Sequence, residues 1–248
     1  MRVTIFDYGA GNLHSLAKSL EGEGVEVRVE SDPARALDSD ALVLPGVGAF
    51  AQAAERLAPA LDRVRDALAA GLPCLGVCLG MQLLFDGSEE GPGRGLGVVA
   101  GRVTRLRARR VPQIGWNQLE DIRVDDPLFR RAPLDVAYFA NSFACRPAPD
   151  DPSPIAWATH EEDRFVAAVR VGNTVGVQFH PEKSSAPGVA FVRAWVDEVR
   201  EAGRTARGAE VNCRVLGVGC WEVHSSPSTR HPAPGSSPPP STPDTTRP

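Results

Sequence analysis

The stretch "LPCLGVCLGMQLLFD", Leu72 to Asp86, decides how the first half of the chain folds. "CLGV" (74–77) is a short apolar run of strand length, and "LGMQLLF" behind it has the spacing of a helix. Between them stands Cys78, with Gly76 and Gly80 two residues to either side. A buried strand running straight into a helix through G-x-Cys-x-G is the nucleophile-elbow pattern, with cysteine in the place of serine. The tight turn holds such a residue in a strained conformation, and bulky neighbours at either glycine position would clash. The thiol also sits at a helix N-terminus, where the dipole and free N–H groups favour thiolate. Cysteine is equally among the most buried residue types. Cys74, in mid-strand, reads as core packing; the elbow alone leaves Cys78 between filler and nucleophile.

Outward from the elbow, the same alternation repeats. "VTIF" (3–6) reads as a buried strand, followed by the glycine loop "DYGAGN" and a helix from about 13 to 21. "GVEVRV" alternates with period two and predicts a strand at 25–29. Asp32-Pro33 is a helix start, an N-cap followed by proline at the first helical position. "ALVL" (41–44) is another buried strand, ending in "PGVGAF". Helical spacing runs from about 50 to 70, and Gly71 stands where a glycine C-cap belongs. Strands alternating with helices imply βαβ units and a mostly parallel sheet. After Gly91 the texture changes to short strands in "GVVAGRVTRL", "VPQIGWNQL", "VAYFANSFA", "IAWATH", "FVAAVRV" and "TVGVQF", an antiparallel or mixed half. Gly172-Asn173 reads as a hairpin turn, and a closing helix is expected from about 187 to 202.

With 248 residues, 42% of them hydrophobic, the chain is long enough for one large domain or two small ones. A net charge of −4 argues against a nucleic-acid surface. No run of about 18 apolar residues predicts a membrane span, and Asp7 arrives too early for a secretory signal. Five scattered cysteines do not form a disulfide framework, so the expected compartment is the cytoplasm. Composition breaks near Gly203. Residues 225–248 hold eight prolines and ten serines or threonines, too little apolar surface to offset ordering entropy, and are expected to be disordered. The expected domains are therefore 1–202 and a low-complexity tail, 203–248, whose bridging segment has an apolar run suited to one strand. Cys213 and Cys220 lack the spacing of a zinc pair.

A thiolate needs a proton shuttle, and residues 1–202 offer only His14, His160 and His180. In "VQFHPEKS", His180 follows a strand and Glu182 lies two residues on, on the same side of an extended chain. Glu182 is thus positioned to orient the imidazole and stabilise its cation, the third role in a triad. His14 and His160 read as incidental. "LPGVGAF" (44–50), a glycine-flanked loop at a strand's carboxyl end, can turn backbone N–H groups toward an oxyanion, or be a plain βα turn. "GAGNLH" (9–14) lacks the third glycine of a dinucleotide fingerprint. In "RVTRLRARR" (102–110), alternation along a strand puts several guanidiniums on one solvated face.

Taken in order, "FDYGAGNLHSL", "LPGVGAF", "LGVCLGMQLLFDGSEEG", "IGWNQL" and "FHPEKS" resemble the class I glutamine amidotransferases over about residues 1–202. Within these the chain is similar to the glutaminase subunits of imidazole glycerol phosphate synthase, of histidine biosynthesis. The resemblance implies a flavodoxin-like α/β fold with a mostly parallel central sheet, flanking helices and added antiparallel strands. It implies that Cys78 attacks the carboxamide of glutamine, with His180 and Glu182 completing a triad. Backbone N–H groups of Val47 and Leu79 would hold the oxyanion, a peptide flip at Gly46-Val47 making or removing one donor. Gly48, Gln82, Glu90, Ser142 and Phe143 would contact glutamine. Asn12, Trp116 and Lys183 would face a partner (βα)₈ barrel, the cyclase subunit, with which the family forms a heterodimer and to which ammonia passes. The barrel would make imidazole glycerol phosphate and aminoimidazole carboxamide ribotide. No cofactor or metal is implied. Two positions depart from the family pattern: Gln113 stands where "PHxGWN" has histidine, and Asn141-Ser142-Phe143 where "HSY" is common.

Other readings of the same residues are an amidotransferase subunit serving another synthase, a cysteine hydrolase of this fold, and a binding subunit without catalysis. The last has no need of Cys78, His180 and Glu182 together.

Overall fold

A computed structural model describes residues 1–9 and 13–216. In chain order the elements are β1 (Arg2–Phe6), α1 (His14–Leu20), β2 (Glu26–Glu30), α2 (Pro33–Leu37), β3 (Ala41–Leu44), α3 (Phe50–Leu57) and α4 (Leu61–Ala69). There follow β4 (Cys74–Val77), α5 (Leu79–Gln82), β5 (Gly87–Ser88), β6 (Gly101–Arg105), β7 (Gln113–Gln118) and α6 (Pro127–Arg131). The chain continues with β8 (Val136–Asn141), β9 (Phe143–Pro147), β10 (Pro154–His160), β11 (Asp163–Val171), β12 (Thr174–Val177) and α7 (Ser185–Leu216). Seven strands form one sheet in the order β10-β11-β12-β4-β3-β1-β2. The five from β12 to β2 are parallel, and β11 and β10 extend the β12 edge antiparallel. Two small sheets, β5-β6-β9 and β7-β8, carry the remaining strands. This is the mostly parallel α/β sheet with antiparallel additions that the alternation predicts.

The buried strands alternate between two apolar layers, as period-two side chains must. Ile5, Val43, Leu75 and Val177 pack on one face with Leu20 of α1 and Phe191 and Trp195 of α7. Leu42, Leu44, Cys74 and Phe6 pack on the other with Phe50, Leu57 and Val64 of α3 and α4. Cys74 is core, and burial pushes its thiol up to about 12.

Local signals explain several boundaries. Asp32 accepts Ala34 N–H at 2.8 Å and caps α2. α4 ends in paired Gly71 N–H→Leu68 O (3.0 Å) and Leu72 N–H→Ala67 O (3.0 Å) bonds, with Gly71 at φ 100°, a Schellman motif. Gly172, at φ 55°, is the first of two residues joining β11 to β12, where a type II′ loop needs glycine.

Three expectations are corrected. The helix expected over 50–70 is two, α3 and α4, joined by a 3₁₀ turn at Ala58–Ala60, because Pro59 has no N–H for the helical ladder. The helix after Cys78 is one turn long. Gln82 and Leu83 make i→i−4 bonds, but Leu84 N–H→Met81 O (3.0 Å) and Phe85 N–H→Gln82 O (3.2 Å) tighten the chain and end it. The closing helix begins at Ser185 and runs through Leu216, so 203–216 of the bridge is helical. Ala, Arg, Glu and Leu in that segment favour helix; the apolar run suited to a strand lies mostly beyond it. The part of that expectation beyond 216, and the expected disorder of 225–248, lie outside the described residues. The chain divides into two units, Met1–Arg207 and Gly208–Pro248.

The parallel core aligns three strand ends. β4 registers with β3 through Leu44↔Gly76 and with β12 through Val77↔Val177. The carboxyl ends of β3, β4 and β12 therefore lie side by side, the edge where open α/β sheets place their sites.

Candidate active site

Cys78 follows β4 directly and adopts φ 47°, ψ −101°. Backbone in that region costs a residue with a side chain roughly 1–3 kcal/mol. The surroundings hold it there: Cys78 N–H donates to Val177 O at 2.7 Å, and Cys78 O accepts Gln82 N–H at 3.1 Å. The flanking glycines are sterically required. A Cβ on Gly76 would stand 2.7 Å from Gly80 O, and one on Gly80 would stand 2.0 Å from Leu44 O. The elbow is thus wedged between its own first turn and the end of β3.

His180 emerges beyond β12, 2% exposed, and lines the same cavity as Cys78. Its Nδ1 lies 2.8 Å from Glu182 Oε1. Burial disfavours the imidazolium, but the bonds to Cys78 and Glu182 outweigh it and push the His180 pKa up to about 9. Glu182 sits in the 3₁₀ turn Pro181–Lys183. Ser184 ties that turn to β8: its hydroxyl donates to His180 O (2.7 Å) and accepts Tyr138 N–H (2.9 Å). His180 N–H donates to Tyr138 O at 2.8 Å.

The loop after β3 closes over the pair. The Tyr8 hydroxyl, from the "DYG" turn, donates to Pro45 O at the loop's start. Gly46 then passes so close that a Cβ there would lie 3.0 Å from His180 Cε1 and 3.1 Å from Cys78 Cβ. Gly48 has φ 128° and faces Leu79. Loop, elbow and β8–β9 corner enclose a cavity of about 270 Å³.

Val47, Gly48 and Leu79 line it, as do Gln82, Glu90, Ser142 and Phe143. Every residue expected to contact glutamine or its oxyanion is therefore brought to one cavity. Two of them have other partners here. Glu90 Oε2 accepts Phe50 N–H at 2.9 Å, capping α3, whose own N-cap Ala49 supplies no side-chain bond. Gln82 Nε2 donates to Phe143 O and to Gln178 Oε1, each at 3.3 Å.

Gln178 escaped the sequence reading. Its Nε2 lies 3.4 Å from Cys78 Sγ. The available signal was its place two residues before His180. The two departures from the family pattern also meet: Gln113 and Asn141 are cross-strand partners between β7 and β8, both 4% exposed. Asn141 Nδ2 donates to Phe143 O at 3.0 Å. The Gln113 and Asn141 side-chain oxygens are buried without a hydrogen-bond partner among the described residues.

Of the expected partner-facing residues, Lys183 lines the cavity mouth and Trp116 stands on the outer face of β7, 54% exposed. Trp116 meets Tyr138 edge-on at 6.1 Å, with Ile114 and Val136 on the same ribbon. Asn12 lies outside the described residues. His14 is exposed at the start of α1. His160 Nε2 sits 2.7 Å from Arg110 O. Arg102, Arg105, Arg107, Arg109 and Arg110 are exposed, but β6 ends at Arg105, so the last three lie in a loop and the five do not share one strand face as expected.

The family profile described as glutamine amidotransferase class-I matches residues 4–197. The imidazole glycerol phosphate synthase subunit HisH of Symbiobacterium thermophilum is 47% identical over 199 residues, covering 78% of this chain and 92% of that one. The HisH subunit of Thermus thermophilus is 46% identical over 195 residues, 77% and 95% of the two chains. A solved glutamine amidotransferase superposes with a TM-score of 0.60 at 20% identity, covering 78% of this chain and 98% of that one, a likeness of fold. Taken with the elbow and its histidine, these matches show that the chain belongs to the class-I glutamine amidotransferase family, among the HisH subunits of imidazole glycerol phosphate synthase.

Proposed function

We propose that the protein releases ammonia from glutamine at Cys78 and delivers it to a synthase partner, the (βα)₈-barrel cyclase subunit of imidazole glycerol phosphate synthase, in the cytoplasm. The observation that carries the reading is the buried His180–Glu182 pair set beside Cys78, with Cys78 and His180 lining an open cavity.

Cys78 Sγ attacks the carboxamide carbon of glutamine, and its proton resides on His180. The oxygen of the tetrahedral intermediate takes hydrogen bonds from the backbone N–H groups of Val47 and Leu79. His180 gives its proton to the leaving nitrogen, the C–N bond breaks, and ammonia departs from a γ-glutamyl thioester. Water, deprotonated by His180, then attacks the thioester, and glutamate leaves with the thiol restored. Glu182 orients the imidazole and stabilises its cation. Gly48, Gln82, Glu90, Ser142 and Phe143 hold the substrate, the Glu90 carboxylate remaining shared with Phe50 N–H.

Ammonia in bulk water near neutral pH is mostly protonated and no longer nucleophilic, which favours passage through an interface. The exposed Trp116, Ile114 and Val136 supply an apolar face beside the cavity mouth, where Lys183 completes the contact. The peptide that switches is Gly46-Val47, whose flip gates the oxyanion donor on partner binding.

The test measures glutamate release from glutamine by the full chain, alone and with the cyclase barrel carrying its nucleotide ligand. A large rise only with the liganded barrel, abolished by Cys78→Ala, supports the reading. Rates unchanged by the barrel, or a rise that survives Cys78→Ala, overturn it.

A further inference from the structure

Gln178 is fully buried, at 0% exposure, between the end of β12 and His180. Phe179 beside it turns the other way, packed in the core against Phe139 and Phe191. Gln178 and His180 therefore point to the same side, toward Cys78. Burying a carboxamide costs free energy unless both of its ends are bonded, and an apolar side chain of the same volume would fill the space without that cost. Both ends are in fact used. Oε1 accepts Gln82 Nε2 at 3.3 Å, and Nε2 donates to Cys78 Sγ at 3.4 Å. The opposite orientation would set a carbonyl oxygen against a thiolate and an NH₂ group against the NH₂ of Gln82. Gln82 is itself fixed by Phe143 O at 3.3 Å, which also accepts Asn141 Nδ2 at 3.0 Å. A line of amides thus runs from the glutamine cavity, which Gln82 lines, to the nucleophilic sulfur, which Gln82 does not touch.

We propose that Gln178 is a further catalytic residue, the second side-chain donor on Cys78 Sγ, which holds the thiolate for attack and links it through Gln82 to the glutamine cavity. The inference takes from the glutaminase reading only what the sulfur attacks. With His180 as the first donor, the sulfur is held from two directions, and its lone pairs are aimed by fixed groups instead of by solvent. A hydrogen bond to the charged form of a thiol favours that form. Loss of Gln178 therefore slows attack by the sulfur. The other titratable groups around the sulfur are His180, with Glu182 behind it, and Glu90 and Lys183 in the cavity lining, with Tyr8 and Cys145 near enough to interact electrostatically. All of these remain in a Gln178 variant.

The experiment follows alkylation of Cys78 by iodoacetamide in the full chain, without glutamine or partner, reading the Cys78 peptide by mass spectrometry across pH. Gln178→Met keeps the volume and removes both hydrogen bonds. It is expected to slow Cys78 alkylation at pH 7 by about 10- to 100-fold, the worth of one bond to a charged group. In the barrel complex, kcat for glutamate release falls by a similar factor while KM for glutamine changes by less than about threefold. Gln82→Leu slows alkylation too, and adds nothing in the double variant. An unchanged alkylation rate in a folded Gln178→Met protein overturns the proposal. Should that variant not fold, Gln178→Glu, which keeps the volume and the acceptor for Gln82 but puts a carboxylate against the sulfur, is read instead. Equal alkylation there overturns it as well. Alkylation needs neither glutamine nor barrel, so a failure of the glutaminase reading leaves this test standing.

Discussion

A residue held at φ 47° with a glycine two positions to either side is a local device, and its cost and purpose are both local. Gly80→Ala drives a methyl group into Leu44 O at 2.0 Å, where neither backbone can yield. It is expected to destabilise the fold by about 3 kcal/mol or more, measured by urea unfolding followed by circular dichroism. Gly24→Ala, with nothing within 4 Å of its Cβ, meets only its own positive φ of 71° and loses less. His180 supplies a second prediction at this scale. Its folded-state pKa of about 9 lies above the ordinary 6.5, so between those values the folded protein holds a proton that the unfolded chain has released. The stabilisation is fully present below pH 6.5 and is lost as pH rises through 9. The imidazole resonances of His180 are expected to titrate near pH 9 and to move to lower pH in Glu182→Gln. In His180→Gln, the decline of stability across pH 6.5–9 is expected to shrink. A His180 midpoint near 6.5 in the wild type would refute the ion-pair account of the site.

At the scale of elements, α6, β11 and α7 are joined by one buried charge cluster. Asp126 Oδ1 caps α6 by accepting Leu128 N–H at 3.0 Å and Phe129 N–H at 3.3 Å. Its Oδ2 accepts Arg170 Nε at 2.6 Å, and Arg170 also reaches Glu198 of α7 at 2.7 Å. Asp126→Ala therefore removes a cap and leaves a largely buried guanidinium short of an anion, at an expected cost of about 3–5 kcal/mol. Glu198→Ala, at the more exposed end of the cluster, is expected to cost less than half as much by the same unfolding assay. Helix signals were legible where a cap or glycine stood at the boundary, as at Asp32 and Gly71. They misled where Pro59 interrupts an otherwise continuous apolar spacing, and where the turn after the elbow tightens to i→i−3 bonding.

At the scale of the Met1–Arg207 unit, the carboxyl edge of the large sheet carries the candidate site, and β7–β8 form an apolar ribbon. Among the described residues no helix is long and apolar enough to cross a membrane. Trp116, half-exposed and braced by Tyr138, has the features of an interface anchor. Trp116→Ala is expected to weaken binding of the proposed barrel partner by about 30-fold, roughly 2 kcal/mol, by titration calorimetry, without changing the melting temperature of the isolated chain. Unchanged affinity would move the docking surface elsewhere.

The amino-acid sequence by itself determined the strand–helix alternation, the elbow at Cys78, the pairing of His180 with Glu182 and the glycine loop before Phe50. Each of these depends on residues a few positions apart, where backbone geometry alone dictates which side chains share a side. Only the tertiary structure decided that Glu90 caps a helix 40 residues upstream, that Gln113 faces Asn141, and that Gln82 and Gln178 meet across 96 residues. Such contacts follow from strand order in the sheet and from the packing of loops over its edge. A carboxamide carries no periodic signal of its own; it acquires a role when folding removes water from around it and leaves a sulfur and another amide as its hydrogen-bond partners.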